Sequence, residues 1–153
     1  MPVELIRPLS RAPWLETHLA KVDGLRLVKT YTLRRGDYTI GVQHEFINDS
    51  AQPVSPQLYL QLARDGSPPQ GESSFYFTFT GPALYTDASK FRKIDFKDIE
   101  KGKVEVPGSA NNGWVAMVQH YFASAWLLPA NQPRDFRVAK VADNLYAIAM
   151  VVP

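Results

Sequence analysis

The sequence predicts an all-β domain, and three observations predict it. Apolar and polar residues alternate with a period of two in several stretches. Gly, Pro, Asn and Asp separate those stretches at the spacing of hairpin-built sheets. The twelve prolines are scattered rather than clustered, and at roughly 8% against a typical ~5% they indicate many turns, not a disordered tail. A chain of 153 residues suggests one domain, and at this size a fold buries about 68–70% of the surface its unfolded form exposes. It needs no disulfide or metal to hold it.

Residues 1–15 contain three prolines and no clear period, so they read as an irregular lead-in, without the apolar core of a signal peptide. Residues 16–153 read as a single β domain. Asp23-Gly24 is the strongest turn signal, because a type I′ turn needs positive φ at both central positions. It should join a strand over residues 17–22 to one over 26–33. After a connection at residues 34–37, Tyr38, Ile40, Val42, His44 and Phe46 alternate with Thr39, Gly41, Gln43 and Glu45, the pattern of a strand with one buried face. Asn48-Asp49-Ser50 and Pro53 end it. Leu58, Leu60 and Leu62 alternate with Tyr59, Gln61 and Ala63 in a third strand, and residues 65–71 form the most turn-rich loop.

Phe75, Phe77 and Phe79 alternate with Tyr76, Thr78 and Thr80, so large side chains occupy both faces and this strand is expected to pack between two layers. Residues 86–103 carry much of the charge; Phe91, Ile94, Phe96 and Ile99 fit helix and strand spacing equally, leaving both open. Residues 114–128 lack clean alternation. Trp114, Met117, Tyr121 and Ala125 allow a buried helix, but the aromatic and β-branched content, with Gly113 and Pro129 on either side, favours one long strand buried on both faces. Residues 136–141 and 145–152, joined near Asp143-Asn144, form a closing hairpin.

Composition excludes several function classes. Zero cysteines rule out a disulfide scaffold, a zinc ribbon, a cysteine-held iron–sulfur site and a thiol nucleophile. Seventeen basic against fifteen acidic residues give a net charge of +2, far from the one-sided field of a dedicated nucleic-acid binder. The longest apolar run, residues 145–152, has eight residues, well short of the ~18–20 needed to span a membrane as a helix.

No motif announces catalysis. His18, His44 and His120 lie 26 and 76 residues apart, not at the close spacing of metal ligands, and Glu45 points away from His44 on a strand. A satisfied core or rim histidine is the ordinary reading of each. The sequence holds no G-x-S-x-G elbow and no phosphate loop. Asp95 with Asp98, and Glu100 with Glu105, lie in a Lys-rich stretch where a charge-compensated surface explains them. Arg35-Gly36-Asp37 matches an adhesion tripeptide and Asn48-Asp49-Ser50 a glycosylation acceptor, yet turn chemistry demands those residues in both places. Tyr59, Tyr76 and Tyr85 are candidates for a sugar- or peptide-binding platform. Catalytic, cofactor-binding and metal residues are therefore all expected to be absent, and no partner-binding residue is singled out.

Three stretches together carry a resemblance. Residues 29–38 (KTYTLRRGDY) supply a strand, a basic pair and a Gly-Asp-Tyr turn. Residues 79–85 (FTGPALY) precede the Lys-rich stretch 90–103. Residues 113–126 (GWVAMVQHYFASAW) are the most specific. In this order and spacing they resemble the large periplasmic domain of the YidC insertase family, whose matching strand reads G-W-V-A-M-L-x-x-Y-F-x-x-A-W. The similarity extends over about residues 25–152, and residues 1–15 do not obviously match.

The resemblance implies a twisted β-supersandwich, the two-sheet fold shared with galactose mutarotase-like proteins, here incomplete. It implies a non-catalytic domain on the periplasmic side of the bacterial inner membrane, between the first two membrane helices of a polytopic insertase. That insertase assists insertion and folding of inner-membrane proteins beside the Sec translocon. Auxiliary Sec subunits such as SecF are the implied partners. Nascent membrane proteins would be handled by membrane helices that lie outside these residues, and no insertase residue transfers to any position here. On this reading the domain is cut at both ends, and uncovered strand edges should make the chain self-associate. The alternative is a carbohydrate-binding or aldose-epimerase-like protein, whose acid–base pair would have to come from His44, His120 and a carboxylate such as Glu45 or Glu72. A peptide-binding module acting through an open sheet edge is a third class.

Overall fold

A computed structural model describes residues 14–22, 24–69 and 78–153, the first segment by its backbone alone. The chain divides into two compact units, residues 1–56 and 57–153.

The first unit is an antiparallel meander of β1 (Trp14–Val22), β2 (Leu25–Leu33) and β3 (Ile40–Asn48), in that order across the sheet. Gly24 takes φ +80° between the first two strands, the left-handed conformation expected of it; Asp23, its partner in the sequence signal, lies outside the described residues. Alternation holds in the middle of β3, where half-buried Val42 and His44 sit between exposed Gly41, Gln43 and Glu45. Tyr38 does not begin this strand and is fully exposed. The Asp37 carboxylate accepts the Thr39 N–H at 2.8 Å, and the Asp37 N–H donates to the Arg34 carbonyl at 3.2 Å. These bonds prolong the turn, so pairing starts at Ile40.

The second unit is a sandwich of two four-stranded antiparallel sheets. One has the order β4 (Leu58–Asp65), β11 (Leu145–Val152), β10 (Arg134–Ala142), β7 (Ser109–Ala110). The other has the order β6 (Lys90–Lys93), β5 (Gly81–Thr86), β8 (Trp114–Gln119), β9 (Phe122–Leu127). Leu60, Phe136, Ile148 and Met150 from the first sheet pack with Leu84, Val115 and Met117 from the second. The all-β expectation is met, with one short helix among the described residues, α1 (Phe96–Glu100), between β6 and β7. The closing hairpin is present as expected: Asn144 turns it at φ +50° and a register shift lies between Lys140 and Ala142. Residues 145–152 read as continuous apolar sequence because β11 runs between β4 and β10 and is buried from Tyr146 onward.

One expectation is corrected, one left open is resolved, and one falls outside the described residues. Residues 114–128 are not one long strand but a hairpin, in which Gln119 pairs with Phe122 across a turn at His120 and Tyr121. Only its first arm is buried on both faces, with Val115 and Ala116 inaccessible. The ambiguous charged stretch divides into β6 and α1, with Ile94 and Ile99 both turned into the core. The strand expected around Phe75 and Phe77 lies outside the described residues.

Candidate functional site

The candidates with described side chains lie at separate places in the fold. His44 on β3 is opposite Lys29 on β2. Burial, then the Lys29 charge, push its pKa below the ordinary imidazole value, so the site disfavours the imidazolium. The Nδ1 of His120, at the β8–β9 turn, lies 2.8 Å from the Thr78 hydroxyl. The side chain of His18, Glu72 and Tyr76 are outside the described residues. Among the described residues no histidine has a carboxylate hydrogen-bond partner, and no group of three His, Asp or Glu is placed to hold a metal.

Of the paired carboxylates, Glu100 has a structural role. The Asp95 carbonyl accepts the Asp98 and Ile99 N–H groups at the start of α1. Glu100, at its end, accepts from Lys140 Nζ and from Tyr146 Oη, each at 2.8 Å. These two bonds hold its carboxyl below the usual glutamate range, and they raise the pKa of Lys140 and Tyr146. The result is a tether pinning α1 to β10 and β11. Glu105 is exposed and plays no part in it.

The tripeptide matches resolve into turns. Gly36 sits at φ +81° in the β2–β3 connection. The Asn48 side chain accepts from the Ser50 N–H at 3.0 Å and from the Ser50 hydroxyl at 2.7 Å, while Asp49 pairs with Arg26 at 2.6 Å. The aromatic candidates do not form a platform. Tyr59 is exposed on β4, whereas Tyr85 stacks on Trp114 with ring centroids 5.9 Å apart and bonds Asp87.

Two arginines matter that the sequence argument passed over. Arg134 is completely buried. Its guanidinium donates to the backbone carbonyls of Gln132, Gly113, Leu128, Asn111 and Pro129. Burial lowers its pKa, but an arginine starts so high that it stays charged. Arg64 lies at the end of β4 with its Nη1 buried and without a hydrogen-bond partner. Period two could have found both, since Phe136 and Val138 place Arg134 inward and Leu58, Leu60 and Leu62 do the same for Arg64.

Two of the cavities among the described residues lie in the second unit. One, of about 490 Å³, is lined by Ser67, Thr80 and Phe96, and by Asp95 and Asp98 balanced against Lys97 and Lys101. The other, of about 190 Å³, lies between the sheets among Leu62, Arg64, Met117, Gln119, Phe122 and Ser124. Among the described residues no helix is long and apolar enough to cross a membrane.

The family model of the YidC periplasmic domain matches residues 13–153. The chain belongs to the YidC periplasmic domain family. Curated relatives agree. The chain is 54% identical over 134 residues to a membrane protein insertase YidC of Janthinobacterium sp. (strain Marseille), covering 88% of this chain and 24% of the relative. It is 53% identical over 148 residues to that of Cupriavidus necator, covering 96% and 26%. A third relative, the YidC of Bordetella petrii, is 54% identical over 128 residues, 84% of this chain and 23% of its own. The chain thus spans about a quarter of the length of the curated relatives it matches. The YidC match runs through both structural units, and it leaves no support for the mutarotase alternative.

Proposed function

We propose that this chain works as a non-catalytic interaction domain of a YidC-type membrane protein insertase, on the periplasmic side of the bacterial inner membrane. There it assists insertion and folding of inner-membrane proteins alongside the Sec translocon, with an auxiliary subunit such as SecF as its partner. Residues 16–153 act as part of one periplasmic β domain. The carrying observation is the family match over residues 13–153 together with about half identity to proteins named as insertases. The geometry supports the same reading, because Asp37 serves a turn, Glu100 serves a tether and His44 sits on a strand face opposite Lys29.

The experiment is a deletion in the parent insertase. Removing the segment that corresponds to residues 13–153, with the flanking membrane helices kept, should abolish recovery of SecF with the purified insertase. Undiminished SecF recovery from the shortened protein would contradict the partner assignment. Cleavage of the domain by protease added to the cytoplasmic side alone would contradict its location.

A further inference from the structure

The loop between β7 and β8 carries Asn112-Gly113, the one Asn-Gly pair in the sequence. Asparagine is a thermolabile residue, and a following glycine makes it more so, because no Cβ shields the glycine backbone nitrogen. In a flexible chain that nitrogen attacks the asparagine side-chain Cγ. A C–N bond forms to Cγ, the bond from Cγ to the side-chain nitrogen breaks, and the proton displaced from the glycine leaves with that nitrogen as ammonia. Water then opens the resulting succinimide at either carbonyl. One opening gives Asp, and the other gives isoaspartate, whose backbone runs through the former side chain and is one carbon longer.

The fold holds the groups that this reaction must move. Arg134 Nη1 donates to the Gly113 carbonyl at 2.8 Å and Nη2 to the Asn111 carbonyl at 3.5 Å, so one buried guanidinium grips the backbone on each side of residue 112. The Asn111 carbonyl also accepts the Asn131 N–H at 2.8 Å. The Asn112 Oδ1 accepts the Asp87 N–H at 2.8 Å, and Gly113 lies so close to the Tyr85 carbonyl that a Cβ would collide with it. Closing the succinimide ring draws Cγ and the Gly113 nitrogen from a non-bonded separation to one bond length. It must therefore shift Oδ1 from Asp87, the Gly113 carbonyl from Arg134, or both. The Asp87 N–H has an opposite tendency as well, since a donor at Oδ1 stabilises the oxyanion of an attack. Placement decides between an accelerated site and a silenced one, and the double grip of Arg134 decides for silence.

We propose that Asn112-Gly113 is a latent deamidation site: the Arg134 clamp keeps the succinimide from forming in the folded domain, and opening of the clamp releases the reaction. A reaction that requires opening runs in proportion to the open population. Deamidation at Asn112 thus records how often this part of the second unit comes undone. Isoaspartate makes the record permanent, because its added carbon moves the Asn111 and Gly113 carbonyls apart and Arg134 no longer reaches both.

The test incubates the 153-residue chain at mildly alkaline pH in native buffer and in urea, then reads Asp and isoaspartate at each asparagine by peptide mapping with mass spectrometry. In urea Asn112 should convert ahead of Asn48, Asn111, Asn131 and Asn144. In native buffer it should convert at least about tenfold more slowly, the factor that each ~1.4 kcal/mol of opening free energy imposes. Arg134→Lys should speed the native reaction severalfold and leave the rate in urea unchanged. After transfer back from urea, chains carrying isoaspartate should fail to regain native tryptophan fluorescence. Asn112→Asp, which keeps an acceptor for the Asp87 N–H without the added carbon, should fold. A native rate equal to the rate in urea, a native rate for Arg134→Lys equal to the parent's, or isoaspartyl chains that refold fully would each overturn the proposal. The comparison of the parent chain in buffer and in urea decides even where Arg134→Lys does not fold.

Discussion

Arg134 brings a full positive charge into a site with no carboxylate among its hydrogen-bond partners, and five backbone carbonyls take the place of a counter-ion. Those carbonyls belong to the approaches of β7, β8, β9 and β10, so one side chain fastens the points where four strands begin or end. Arg134→Ala leaves them facing a void, and the expected loss is about 2–4 kcal/mol of unfolding free energy, since buried groups without partners cost about 1–3 kcal/mol each. Arg134→Lys should recover only part, because an ammonium lacks the planar fork that reaches several acceptors together. Urea unfolding followed by tryptophan fluorescence checks both, and an unchanged midpoint for Arg134→Ala would refute the clamp. Glu100 makes a prediction in pH. Its folded pKa is depressed by Lys140 and then Tyr146, so its contribution is present above the ordinary value of about 4.5 and is lost as pH falls through the lower folded value. Lys140 and Tyr146 are shifted upward, so their share persists through neutrality and fades only in strong alkali. Glu100→Gln should flatten the acid limb of the stability profile, and an unaltered acid limb would contradict the tether.

The β8–β9 hairpin depends on Gly113, which enters β8 at φ +100° with a carbonyl that accepts from Arg134. A Cβ at this position would collide with the Tyr85 carbonyl oxygen of the neighbouring strand. Gly113→Ala should therefore cost at least the roughly 1–3 kcal/mol of a strained backbone, and a thermal melt indistinguishable from the parent would contradict this. Gly113 was legible as a turn because Asn111 and Asn112 precede it. The turn at His120 and Tyr121 was not. Neither residue has positive φ, so the hairpin carries none of the Asn-Gly chemistry that marks such turns in a sequence, and an uninterrupted apolar run concealed it. β4 and the closing hairpin were legible for the opposite reasons: clean alternation from Leu58 to Ala63, and Asp143-Asn144 with Asn144 at φ +50°. Arg134 and Arg64 escaped notice because charged residues are ordinarily assigned to the surface, even where strand period turned them inward.

Strand period and turn chemistry establish an all-β architecture, and the ordered motifs of residues 29–38, 79–85 and 113–126 are what connect it to the YidC periplasmic domain. Composition excluded thiol chemistry, disulfides and a nucleic-acid field but offered no positive function, because an interaction domain of the kind proposed carries no catalytic residues whose spacing could be recognised. Its information is spread over edges and faces, which appear only once strands are placed in a sheet. On the proposed function this domain binds protein and performs no sugar chemistry. The most direct measurement is calorimetric titration of the purified chain with the periplasmic portion of SecF, run beside polarimetry of freshly dissolved galactose. Saturable binding of the SecF portion and an unaccelerated rate of galactose mutarotation are expected; absence of protein binding together with accelerated mutarotation would overturn the proposed function.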